Sequence, residues 1–186
     1  MDWICAFCGS AGETSKDTAS IDDFAQALTR RSIGLVYGGG RSGAMGRLAD
    51  AVLANDGDVV GIIPESILDR EQPHENLTEL VTVESKSVRK EQMVDYADGF
   101  VAFPGGIGTH EEIFDVLGRA KHGFHTKPCG FLNVAGYYDN LVVHFDNAEA
   151  EGFLSPEQRE LAIVDADPSS LLDAFEEYES PITSEA

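Results

Sequence analysis

Gly99-Phe100-Val101-Ala102-Phe103-Pro104-Gly105-Gly106-Ile107-Gly108-Thr109-His110-Glu111-Glu112 is the stretch that decides the fold. Its first five residues are an unbroken apolar run, which marks a strand buried on both faces. Pro104 stops the strand, having no amide hydrogen to donate to a ladder. Gly105, Gly106 and Gly108 then let the backbone approach a ligand closely, and a helix is predicted at once, from His110 to Lys121. A buried strand that passes through a glycine turn into a helix is the building unit of parallel α/β sheets. Free amide hydrogens at the start of such a helix, with the positive end of its dipole, form an anion site. Thr109 can cap this helix, with Glu112 three residues on at capping-box spacing. Capping alone would explain those two residues, but it requires no glycines and leaves Glu111 unaccounted for.

The same alternation continues on both sides. Trp3 to Cys8 reads as the first strand, ending at Gly9-Ser10, and a helical pattern covers Thr18 to Arg31. Gly34 to Tyr37, Val59 to Ile63 (closed by Pro64), Leu80 to Val83 and Gly130 to Val134 read as further strands. Helical patterns cover Ala44 to Asn55, Val88 to Ala97 and Tyr137 to Glu151, a loop runs from Glu65 to Asn76, and a last strand-helix pair follows. The strands are continuously apolar rather than alternating, so the expected fold is a single-domain, Rossmann-like, doubly wound parallel sheet with helices on both faces. That domain is predicted over residues 1–178, with a frayed tail at 179–186.

Composition limits the function classes. The 186 residues carry 33 acidic against 13 basic side chains, a net charge of -20, so a nucleic-acid partner is not expected. A surface this acidic, with only five lysines, suits a protein that stays soluble in high salt. No apolar run approaches the roughly 20 residues of a bilayer span. The opening Met1-Asp2-Trp3-Ile4-Cys5 lacks a signal peptide's basic start, and three cysteines cannot all pair, so a cytoplasmic location is expected. In this global field, an anionic ligand needs strong local donors.

A second glycine turn, Gly38-Gly39-Gly40-Arg41-Ser42-Gly43, matches the dinucleotide pattern G-x-G-x-x-G. That fingerprint belongs to the first strand-helix unit, whereas a full strand and helix precede it here. Glu65 would be the ribose acid in such a reading; a plain tight turn is the simpler one. The turn at Pro104 is not a Walker loop either, because no Lys-Ser/Thr pair follows its glycines. A monophosphate fits it better than a triphosphate.

At this turn the chain resembles the LOG (Lonely Guy) family of cytokinin-activating phosphoribohydrolases, whose signature P-G-G-x-G-T-x-x-E is matched at every fixed position from Pro104 to Glu112. The resemblance extends to Phe7-Cys8-Gly9-Ser10, Tyr37-Gly38-Gly39-Gly40 with Gly43 and Met45-Gly46, Lys127-Pro128, Leu132-Asn133-Val134, Gly136-Tyr137-Tyr138, Gly152-Phe153 and Ser155-Pro156. The family's Arg-Lys pair is Arg89-Lys90, 23 residues before Glu112, but Lys86-Ser87-Val88 stands where Met-His-Glu is usual. An acid after an arginine matches Arg70-Glu71, and a threonine usual on the helix after the turn is Gly118 here.

The resemblance implies hydrolysis of the N-glycosidic bond of a nucleoside 5'-monophosphate, AMP or a cytokinin riboside 5'-monophosphate. Glu112 would stabilise the sugar's developing positive charge and activate water, and Arg89 would orient Glu112 or hold substrate. Expected binding residues are Gly9, Ser10, Gly39, Gly40, Met45, Glu71, Arg89, Lys90, Gly105, Gly106, Ile107, Gly108, Thr109, His110 and Glu111. No metal and no cofactor is expected, and a homodimer with active sites near its interface is implied. The alternative is a non-catalytic nucleotide or molybdenum-cofactor carrier on the same fold. The lysine decarboxylase label often given to such chains is set aside, since no lysine lies in a recognisable pyridoxal-phosphate setting.

Other signals read as packing. Cys5 and Cys8 form C-x-x-C, but residues three apart on a strand face opposite sides. His122 and His125, with His110 and His144, do not form a convincing metal set; the first two are read as exposed or capping residues at a helix end. Cys129 opens a buried-looking strand. Arg30-Arg31 fits the negative end of a helix dipole.

Overall fold

The computed structural model describes residues 1–9, 15–68 and 72–183. Its strands are β1 (Trp3–Phe7), β2 (Gly34–Tyr37), β3 (Val59–Pro64), β4 (Glu79–Val83), β5 (Gly99–Ala102), β6 (Cys129–Leu132) and β7 (Ala162–Asp165). The helices are α1 (Ser15–Arg30), α2 (Gly43–Ala54), α3 (Lys86–Tyr96), α4 (Ile107–Lys121), α5 (Asp139–Ala150), α6 (Pro156–Glu160) and α7 (Pro168–Glu176). All strand pairs are parallel, in the order β4-β3-β2-β1-β5-β6-β7. This is the expected α/β class, Rossmann-like and wound in both directions from β1.

Alternation along each strand feeds two cores. Ile4, Ala6 and Cys8 face one core with Phe24 and Leu28 of α1, Leu48 of α2 and Phe175 of α7. Cys5 and Phe7 face the other with Met93 of α3, Ile113 and Val116 of α4 and Phe145 of α5. The two cysteines of C-x-x-C therefore lie in different cores, both buried and unpaired. Arg31 does more than cap a dipole: it bridges to Asp173 at 2.5 Å and Glu176 at 3.6 Å, tying the end of α1 to α7.

The main departure from the sequence reading lies at the glycine turn. α4 begins at Ile107, three residues earlier than predicted, with Gly106 as its N-cap and no side-chain cap. Thr109 is thus the third helical residue, not the cap, and the capping-box reading of Thr109 and Glu112 fails. Glycine's poor helix propensity hid the start, yet first-turn residues need no intrahelical N–H bond. A short α6, capped reciprocally by Ser155 and Gln158, was also not foreseen.

The strand order reverses at β1: the chain passes from β1 outward through β2, β3 and β4, then returns through α3 to β5 on the other side. The crevice beyond the carboxyl ends of β1 and β5 is where such sheets bind ligands. Pro104 and its glycines leave β5 at that crevice.

Candidate active site

A cleft of about 400 Å³ opens there. Cys8 and Gly9 reach it from the end of β1, Met45 from α2, and Ile67 from the 3-10 turn Glu65–Ile67. Lys86, Ser87, Arg89 and Lys90 form one wall on α3; Gly106, Gly108, Thr109, Glu111 and Glu112 form the other on α4. Five elements converge although their residues are scattered along the chain.

An arginine–glutamate pair lies between the two walls. Arg89 Nη1 stands 3.1 Å from Glu112 Oε1, and both side chains are largely shielded, at 16% and 14% exposure. The guanidinium is fixed from behind, because Arg89 Nε donates to the Ile62 carbonyl at 3.0 Å. Gly38 makes this possible: a Cβ there would come within 2.4 Å of Arg89 Nη2. Lys90 spans the helices lower down, 2.7 Å from Glu111 and 3.3 Å from Asp115. These hydrogen bonds, that to Glu111 foremost, raise the Lys90 pKa.

The turn is built to expose amides. The first helical bond of α4 runs from His110 N–H to the Gly106 carbonyl, so the amides of Ile107 and Gly108 precede the hydrogen-bonded helix. Thr109, 3% exposed, folds back on Gly105, where a Cβ would meet its Oγ1 at 2.2 Å. The turn is braced from outside: Tyr137 O–H donates to the Gly105 carbonyl at 2.7 Å and Tyr138 O–H to that of Phe103 at 2.5 Å. His110 Nδ1 lies 2.7 Å from the Gly106 carbonyl. Cys8 closes the floor, its thiol pushed up to about 12 by burial first and by the Glu112 charge second, with Arg89 opposing.

Nine of the residues expected at a site line this cleft: Gly9, Met45, Arg89, Lys90, Gly106, Gly108, Thr109, Glu111 and Glu112. Gly39, Gly40, Gly105, Ile107 and His110 are not among its lining residues. The Gly39 carbonyl accepts from His74 N–H, and Gly40 bridges Pro73, so that turn is occupied in holding a loop. Ser10 and Glu71, with Arg70, lie outside the described residues. Sequence reading passed over Cys8, Ile67, Lys86, Ser87 and Gly38 as site residues. For Lys86 and Ser87 the signal was the break in the usual Met-His-Glu context; for Gly38 it was only membership of the Tyr37-Gly38-Gly39-Gly40 turn. His125 was expected exposed or capping; it is buried, with Nε2 on the Val116 carbonyl and Nδ1 accepting from Lys127 N–H.

Comparison with known proteins agrees with this geometry. The family described as "possible lysine decarboxylase" matches residues 45–175. A probable cytokinin riboside 5'-monophosphate phosphoribohydrolase of rice (Oryza sativa subsp. japonica) is 42% identical over 94% of this chain and 78% of its own length. A cytokinin riboside 5'-monophosphate phosphoribohydrolase of Arabidopsis thaliana is 42% identical over 94% of this chain and 83% of its own. Among solved structures, the molybdenum cofactor carrier protein of Chlamydomonas reinhardtii superposes with a TM-score of 0.71 at 19% identity, over 95% of this chain and 96% of that one. That likeness concerns the fold alone. With the two glycine turns, the Arg89–Glu112 pair and close relatives along nearly its whole length, the chain belongs to the "possible lysine decarboxylase" family, on its LOG branch.

Proposed function

We propose that this protein hydrolyses the N-glycosidic bond of a nucleoside 5'-monophosphate, AMP or a cytokinin riboside 5'-monophosphate, to the free base and ribose 5-phosphate. The observation that carries the reading is the shielded Arg89–Glu112 pair beside an uncapped helix N-terminus. The amides at Gly106 to Gly108 take the 5'-phosphate, a handle remote from the bond that breaks. The C1'–N bond then lengthens and the sugar gains oxocarbenium character, as in glycoside hydrolysis. Glu112 offsets that charge and takes a proton from a water; the hydroxide adds to C1', and the proton held by Glu112 passes through solvent to the departing base, which restores the carboxylate. Arg89, held by Ile62 and clear of Gly38, keeps the carboxylate in register. Ser10, Glu71 and the remaining turn residues belong to the same proposed binding set.

Decarboxylation fits less well. A Schiff-base lysine needs a lowered pKa, and Lys90 is shifted the other way by its two carboxylates. The carrier alternative has fold likeness behind it but leaves the Arg89–Glu112 pair without a task.

We also propose a cytoplasmic homodimer. An apolar groove of about 180 Å³ between α4, α5 and α6 supports an interface there; Phe114, Leu117, Phe145 and Leu154 line it. Ile107, 90% exposed beside the glycine turn, supports active sites close to that interface. No helix among the described residues is long and apolar enough to cross a membrane. The direct test of function is base release: wild type frees adenine from AMP, and Glu112→Gln does not while still binding the nucleotide. Full turnover by that variant would remove Glu112 from the chemistry.

A further inference from the structure

Among the described residues that line the cleft, three side chains are basic (Lys86, Arg89 and Lys90) and two acidic (Glu111 and Glu112), and the cation left without a partner among them is Lys86. Arg89 is matched by Glu112, and Lys90 by Glu111 and Asp115. Lys86 lines the same cleft, is exposed, and has no hydrogen bond or ion pair among the described residues. With 33 carboxylates in the chain against 13 basic residues, an open cation here is not due to a shortage of partners.

Helix register indicates what Lys86 faces. α3 and α4 each lead from the carboxyl end of one parallel strand back to the start of another, and both pack on the same core. They are therefore neighbours running in the same direction. Lys90 meets Glu111 and Asp115, and Arg89 meets Glu112. One turn earlier on each helix, about 5.4 Å along the axis, Lys86 stands level with Ile107 and Glu111. Those positions lead directly to the exposed amides of the glycine turn. Backbone amides offer only partial charges, whereas a phosphate monoester carries about -1.5 to -2 at neutral pH. A full positive charge one turn along the opposite wall complements it. This charge departs from the pattern of the family the chain resembles, in which methionine is usual at the place of Lys86 in the Met-His-Glu-Arg-Lys context.

We propose that Lys86 is the side-chain counter-ion of the substrate's 5'-phosphate and sets the preference for phosphorylated over unphosphorylated nucleosides. The proposal rests on the hydrolase reading for its substrate, but its test does not need turnover. Lys86 is exposed and α3 is capped independently by Ser85, which accepts from Val88 N–H, so substitutions here leave the fold intact.

The test compares wild type, Lys86→Met and Lys86→Arg in two assays: calorimetric binding of ribose 5-phosphate and of adenine, and initial rates of adenine release from AMP. Lys86→Met is expected to weaken ribose 5-phosphate binding about three- to tenfold, the range of an exposed charge-assisted contact. KM for AMP should rise by the same factor, kcat should move less than twofold, and adenine binding should be unchanged. Lys86→Arg should recover most of the loss, and added salt should narrow the gap between wild type and Lys86→Met. Unchanged ribose 5-phosphate affinity in Lys86→Met would overturn the proposal, as would equal weakening of adenine. Lys86-dependent ribose 5-phosphate binding with no base released from any nucleotide would sustain Lys86 and sink the hydrolase reading.

Discussion

At the scale of single residues, the site depends on contacts between positions far apart in sequence. Gly38 follows the second strand, yet its consequence is felt at Arg89, whose Nη2 would stand 2.4 Å from a Cβ at that position. Gly38→Ala therefore has to displace the guanidinium that reaches Glu112. A displacement of about 1 Å in a catalytic constellation costs on the order of a hundredfold, so kcat/KM should fall about ten- to a hundredfold, with only a few degrees lost in melting temperature. Steady-state kinetics and a thermal melt on one preparation check both, and an unimpaired Gly38→Ala enzyme would show that Arg89 placement is not limiting. None of this was legible in the turn Gly38 to Gly43, which read as a formal dinucleotide pattern or a plain turn. By contrast, the identities of Arg89 and Glu112 were legible, because their motif and spacing survive in the sequence. Their 3.1 Å approach was not, since it depends on how α3 and α4 pack.

At the scale of elements, the central strands were the easiest to read, since runs buried on both faces such as β2, β3, β5 and β6 have few alternatives, whereas the edge strand β4 is largely exposed. The start of α4 was misplaced because glycine reads as loop, although a helix's first turn tolerates it. His125 shows a second way in which an element is fixed out of sight. The residue follows α4 and fastens the loop to β6 through the Val116 carbonyl and Lys127 N–H. Burial, first, holds its pKa below the ordinary 6.5; the Val116 hydrogen bond opposes this, and Lys127 and Arg119 reinforce it. The unfolded chain thus takes up a proton near pH 6.5 that the folded chain refuses. Stability from this group is full above pH 6.5 and is lost as pH falls below it, by at most about 1.4 kcal/mol per pH unit. Urea unfolding of wild type and His125→Gln at pH 7.5, 6.5 and 5.5 should show the advantage of wild type shrinking toward low pH. An advantage constant over that range would exclude the linkage.

At the scale of the whole molecule, a net charge of -20 opposes the approach of any nucleotide, and the cleft answers with Lys86, Arg89, Lys90 and an uncapped helix start. Composition predicted the conflict but not where it is resolved. The apolar groove between α4, α5 and α6 is likewise invisible in sequence, since Phe114 and Leu154 come together only through packing. For the homodimer, sedimentation equilibrium should give about twice the 20.0 kDa chain mass, and Phe114→Glu should shift it toward a single chain. A wild-type mass of one chain at micromolar concentration would contradict it. The central claim, that the glycine turn at Pro104 and the Arg89–Glu112 pair form a nucleoside monophosphate hydrolase, is tested most directly by product release. Wild type and Glu112→Gln are incubated with AMP, and adenine and ribose 5-phosphate are quantified together by chromatography. The expected result is equimolar adenine and ribose 5-phosphate from wild type and neither from Glu112→Gln. Equal release by both proteins, or no release by wild type from AMP or any cytokinin riboside 5'-monophosphate, would contradict it.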